Sequence, residues 1–199
     1  YLMQTTNGGA LQGLVDGLGL FSVLFAMFIL GSVISQWFWV KACSAFGKVG
    51  ALLLGLTLYI VVLVAIYTQL SDASVGIMAL LFVGAGMTNG AYQQIPWAMY
   101  PDLMDVTRDE SGQALEGAFS GLWLFGQKVA NALAPLALGL ILSGAGWQAS
   151  STGVVAQSPE ALAALRSALT LVPAAILFIA ILGVLAIYRP KVGNVHSRG

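Results

Sequence analysis

The sequence is poor in charge. Of its 199 residues only 8% are Asp, Glu, Lys or Arg, while 58% are hydrophobic. An ordinary soluble domain carries about 25% charged residues, and so few charges cannot cover the outside of a water-soluble fold this apolar. Soluble and disordered classes are thereby excluded. The eight basic and eight acidic residues cancel, so no net charge points to nucleic acid or to an acidic partner. A lone cysteine, Cys43, excludes a disulfide framework and any cysteine-built zinc site within the chain. The single histidine, His196, lies in a polar tail and offers nothing for a His-built metal or catalytic centre. No Gly-rich phosphate loop and no nucleophile motif occurs, so no metal, catalytic residue or enzymatic activity is expected.

What the chain does have is long uncharged runs, over 17–40, 49–71, 73–101, 129–159 and 167–188. A helix needs about 20 apolar residues to cross the hydrocarbon layer, so each run can hold a crossing. The run 129–159 ends in polar residues, so its crossing must begin earlier and include Lys128. The expected spans are about 17–40, 49–69, 75–100, 117–143 and 164–188: an all-α membrane protein with five transmembrane helices. Glycines scattered through the runs fit this class, because small residues let neighbouring helices approach closely.

The connections fall alternately on two faces. One face holds Lys41, Lys48, Arg108, Arg189, Lys191 and Arg198; the other has Arg166 alone at its border. That asymmetry near helix ends places the first face, and with it the C-terminus, in the cytoplasm. Trp37, Trp39, Tyr67, Tyr100, Trp147 and Tyr188 fall near the expected span ends, as an interfacial aromatic belt would. Residues 1–16 read as the end of an earlier element and a polar loop, with Asp16 a solvated charge. With an odd number of spans, this start leads to the expectation of a fragment whose partner helices lie upstream.

The segment QQIPWAMYPDLMD, followed by EGAFSGLWLFGQK, resembles the glycoside–pentoside–hexuronide:cation symporters of the major facilitator superfamily, the family of the melibiose permease. The resemblance rests on Pro101-Asp102 and Asp105 ending one span, Glu116-Gly117 opening the next, and aromatics leading to Gln127-Lys128. The segment AQSPEALAALR before a last span with Val172-Pro173 resembles the family's final loop and helix. The resemblance implies a fragment of a twelve-helix fold, helices eight to twelve, in a plasma membrane, that of the bacterial inner membrane type. PWAMYPDLMD with the following EG and aromatic run is also similar to the sodium-coupled lysophospholipid symporters of the same family. Gln93 stands where the melibiose permease has a substrate-stacking Trp. The family's coupling-cation carboxylates lie in its N-terminal half, so an Na⁺ or H⁺ site is expected there and no cofactor here.

Lys128 is the sharpest single feature. A lysine deep in a span costs about 2.5–3.5 kcal/mol on insertion scales. It either faces a wet cavity, pairing with a carboxylate or substrate, or snorkels outward. Asn131 lies one turn away, and the family has a functionally important lysine at the matching position, which adds Trp123 and Gln127 to the implied path. Asn89 and Gln93 are four apart on the third span and so share a face, with Pro96 a turn further; they line a path or join helices to one another. Ser32, Ser35 and Gln36 read as packing residues. Asp102, Asp105, Arg108 and Glu116 are either solvated helix-end charges or, by resemblance, a cytoplasmic gate of changing salt bridges. The expected function is cation-coupled symport of a sugar or glycoside by alternating access. The small-molecule substrate, the bilayer and the missing N-terminal helices are the expected partners, with no nucleic acid. A lysophospholipid or other amphiphile is the rival cargo; a structural membrane subunit or a membrane-embedded enzyme is the rival class.

Overall fold

The computed structural model describes residues 19–70, 74–111, 116–148 and 156–188. Asp16 and the tail 189–199 lie outside the described residues. Every regular element among those described is helical: α1 (Leu20–Gln69), α2 (Val75–Ser111), α3 (Glu116–Gly144) and α4 (Pro159–Gly183), which runs into one π-helical turn, Val184–Tyr188. Four helices are long and apolar enough to cross a membrane. The five separate helices expected from the uncharged runs are thus four elements, because the first two expected spans are joined in α1.

α1 has 50 residues and as a straight rod would measure about 75 Å, over twice the ~30 Å of hydrocarbon. It is not a rod. Gly47 adopts φ 73°, ψ 161° inside it, a region essentially closed to residues with a Cβ. Packing shows what happens there. The Trp39 indole comes within 3.3 Å of the place a Cβ on Gly55 would occupy, and Leu24 and Ile66 belong to one buried cluster with Met78, Ala79 and Ala85. Residues so distant along one helix meet only if the arms 20–46 and 48–69 lie antiparallel, so α1 is a hairpin.

The chain forms two compact units, Tyr1–Ala98 with Thr170–Gly199, and Met99–Leu169. In the first, α2 runs parallel to the first arm of α1. Any Cβ on Gly31 would collide with the Val83 carbonyl, and one on Gly86 with the Phe28 carbonyl. Gly90 likewise faces the Ser35 hydroxyl. Gly31 and Ser35 on one helix, and Gly86 and Gly90 on the other, are small residues one turn apart, the spacing that lets helix backbones touch in lipid. Ser35 is fully buried and donates to the Ser32 carbonyl at 2.9 Å; Gln36 donates to the same carbonyl. These residues pack, as their sequence context suggested.

Trp39 departs from expectation. It is 2% exposed, not part of an interfacial belt, and its Nε1 donates to the Met87 carbonyl at 2.7 Å. Gly55 and Gly90 leave the slot for its ring, and the backbone acceptor removes the cost of burying its N–H. Trp37 is 69% exposed, with the Lys41 Nζ 3.7 Å above its ring. Lys48, just past the reversal, donates to the Ala98 carbonyl at 2.9 Å and ties the hairpin to α2.

In the second unit, α3 ends in a glycine turn. Gly146 has φ 74°, the Trp147 N–H donates to the Leu142 carbonyl and the Gly146 N–H to that of Ser143. This double closure satisfies carbonyls a helix end leaves open. The Gln157 side chain then bonds Gln148 twice, accepting from its N–H at 2.9 Å and donating to its carbonyl at 2.8 Å. Ser158 accepts from the Ala161 N–H at 3.1 Å, and Pro159 and Glu160 occupy the first turn of α4. This is a capped start, and it opens α4 five residues before the span that hydropathy suggests.

Candidate functional site

One side of α2 carries a row of polar residues. Asn89, Tyr92, Gln93 and Pro96 follow at spacings of three and four and share this side. Asn89 and Pro96 are half-buried, Tyr92 and Gln93 exposed. Tyr59, half-buried on the second arm of α1, lies near Asn89 and Tyr92. Pro96 has no N–H, so the Tyr92 carbonyl loses its helical partner and adds an acceptor to the same side. Asn89 and Gln93 thus lie one turn apart on α2, with Tyr92 between them and Tyr59 near them. Amides and phenol hydroxyls each offer both donors and acceptors of hydrogen bonds.

α3 carries the second polar row. Ser120, Trp123, Gln127 and Asn131 recur at three and four residues and lie on one side, with Lys128 beside them. The row is fixed at one end, where the Tyr100 hydroxyl meets the Ser120 hydroxyl at 2.6 Å and the Tyr100 and Trp123 rings stand edge to face, 6.0 Å apart. No residue of α3 is buried. Gln127, Lys128 and Asn131 are exposed and Trp123 is half-buried.

The charged residues sit where α2 ends and α3 begins. Arg108 lies in the last turn of α2 and Glu116 in the first turn of α3, each favourable to its helix dipole. The Arg108 Nη1 and Glu116 Oε1 are 3.9 Å apart, with the side chains 66% and 46% exposed. An ion pair so open to water contributes about 0–1 kcal/mol. Asp102 and Asp105 are exposed on the same stretch of α2. Among the described residues no three His, Cys, Asp or Glu side chains cluster in a way that could hold a metal ion.

The model of the MFS/sugar transport protein family matches residues 14–191, nearly the whole chain. The chain belongs to that family. This major facilitator chain is 33% identical over 125 residues to an uncharacterized symporter of Synechocystis sp., a match covering 62% of the chain and 23% of that relative. It is 24% identical over 164 residues to the sodium-dependent lysophosphatidylcholine symporter 1-A of Danio rerio, covering 81% of the chain and 30% of that relative. The facilitator chain thus spans under a third of the length of these curated relatives. No solved structure matches it significantly. Family membership and the long apolar helices make it a multi-pass membrane protein.

Tyr92 and Tyr59, beside the two amides, escape sequence reasoning. Tyr92 was available from spacing, three residues after Asn89, but next to two glutamines it reads as a lipid-facing aromatic. Tyr59 sits in the uncharged run 49–71, where only the fold of the hairpin reveals that it lies near another helix.

Proposed function

We propose that the chain is the C-terminal portion, helices eight to twelve, of a twelve-helix cation-coupled symporter akin to the melibiose permease. The two arms of α1 count as two crossings and α2, α3 and α4 supply the other three. The cargo is a sugar or glycoside. Asn89, Gln93, Trp123, Gln127, Lys128 and Asn131 line its path, and Asp102, Asp105, Arg108 and Glu116 form a cytoplasmic gate. Na⁺ or H⁺ is bound by the helices that precede this chain, and the C-terminus is cytoplasmic in a bacterial inner membrane. The observation that carries the reading is the group of Asn89, Tyr92 and Gln93 on α2, with Tyr59 of α1 near it, in a chain of the sugar transport family. Neutral amides and hydroxyls suit a polyhydroxylated cargo, since each can both donate and accept. The name of the zebrafish relative favours a second reading, a lysophospholipid or other amphiphile moved with sodium.

The test uses the full-length protein in proteoliposomes with an imposed Na⁺ or H⁺ gradient. Accumulation of melibiose, dependent on one of the gradients, is the expected result. Accumulation of lysophosphatidylcholine alone decides for the second reading, and gradient-independent equilibration of either compound overturns symport.

A further inference from the structure

We propose that Trp37 and Lys41, which close an unbroken apolar strip on the first arm of α1, hold the phosphate of an anionic phospholipid whose acyl chain lies along the strip. This site is independent of the cargo and of the coupling ion.

Helix periodicity sets the strip. Ala26, Leu30, Val33 and Trp37 recur at four, three and four residues and share one side of the arm, with Lys41 one turn further on. All five are exposed. The other side of the arm is the packed one, where Gly31, Ser35 and Trp39 are buried. From Ala26 to Trp37 the rise is about 17 Å, close to half of the ~30 Å hydrocarbon layer and so to the depth of one leaflet. An acyl chain of one leaflet therefore meets apolar side chains along its whole length.

The end of the strip sets it apart from an ordinary lipid-facing side. The Lys41 Nζ stands 3.7 Å from the centroid of the Trp37 ring, so this side chain is turned back along the helix toward the strip. A snorkelling lysine carries its head away from the hydrocarbon; this one keeps its ammonium a turn nearer to it. The ring face attracts the cation but supplies no oxygen to its three N–H donors. Among the described residues no carboxylate pairs with Lys41. The indole N–H of exposed Trp37 is a further donor beside it. A cation and a neutral donor next to hydrocarbon fit an oxyanion that is itself attached to hydrocarbon, and phosphate oxygens make short charge-assisted bonds with an ammonium. A zwitterionic headgroup fits less well, because its own ammonium meets that of Lys41.

The test is native mass spectrometry of the purified full-length protein, titrated separately with phosphatidylglycerol and phosphatidylcholine. The wild-type protein should bind phosphatidylglycerol more tightly. Lys41→Gln should weaken that binding about tenfold, the effect of one charged hydrogen bond, and leave phosphatidylcholine unchanged. Lys41→Arg should keep the preference, which separates lost charge from lost folding. Leu30→Gln, with an amide in the strip, should weaken the binding of both lipids. Arg198→Gln removes a positive charge from the tail and should change neither. Equal affinity of the wild-type protein for the two lipids overturns the proposal, as does a preference that survives Lys41→Gln or is lost equally in Arg198→Gln. Unaltered binding in Leu30→Gln overturns the placement of the acyl chain. A melting temperature lowered by Lys41→Gln without added lipid, with lipid binding intact, assigns Lys41 to an ion pair within the protein and also overturns it.

Discussion

A lysine within a membrane-spanning helix has to be compensated by water, a carboxylate or a ligand, or its head must escape to the interface. Lys128 stands exposed beside the polar row of α3, with Asp102, Asp105 and Glu116 at the helix ends rather than at its depth. Lys128→Met keeps much of the side-chain length and removes the charge, so membrane insertion should be preserved or improved. Cation-driven accumulation by the full-length protein should nevertheless be lost, and Lys128→Arg should restore little of it, because the planar guanidinium is a poor substitute for a compact ammonium. Transport with unchanged ion dependence in Lys128→Met would assign the lysine to snorkelling. At this scale the sequence was half legible. Charge inside an apolar run draws attention to Lys128, and paired amides to Asn89 and Gln93. A tyrosine such as Tyr59 is apolar enough to pass unnoticed, and only tertiary packing shows that it lies near Asn89. Trp39 was misread for a related reason: nearness to a span end says nothing of the slot that Gly55 and Gly90 open for it.

Among the helical elements, two glycines carry different burdens and should fail differently when replaced. Gly86 has ordinary helical geometry but touches the Phe28 carbonyl, so Gly86→Leu must push two backbones apart. Overpacking of this sort costs about 1–3 kcal/mol or more. Gly47 has nothing within 4 Å of a would-be Cβ; its burden is the backbone angle itself. Gly47→Ala should cost about 1–3 kcal/mol. Gly47→Asn should not rescue it, because asparagine tolerates the left-handed helical region but not this one. Melting temperatures of the purified full-length variants read both effects, and a stable Gly47→Asn would contradict the strain argument. The uncharged runs are read as crossings because hydrocarbon thickness sets the length of a crossing. They marked the ends poorly. α2 was expected to stop near 100 and runs to Ser111, since leaving the hydrocarbon does not oblige a helix to stop. α4 starts at Pro159 because a serine cap and a first-turn proline, not hydropathy, decide where it begins. The reversal at Gly47 occupies a single residue of the basic stretch 41–48 that separates the first two expected spans.

For the whole molecule the basic residues decide orientation. In a Cys43→Ser background, Ala156→Cys should react with a membrane-impermeant thiol reagent in intact cells, whereas Ala45→Cys should react only after permeabilisation. The opposite pattern would invert every crossing. The twin hydrogen bonds joining Gln148 and Gln157 have a practical corollary for following the protein in living cells. They pin both feet of the intervening chain, so a foreign peptide grafted between them is closed off from the helices it interrupts. Doubling the length of such a loop costs only about 0.6 kcal/mol of closure entropy, little beside the stability of a helical bundle. A ten-residue epitope inserted after Ser151 should therefore be stained on unpermeabilised cells with uptake intact. With Gln157→Ala, which unpins one foot, the same graft should lower the melting temperature.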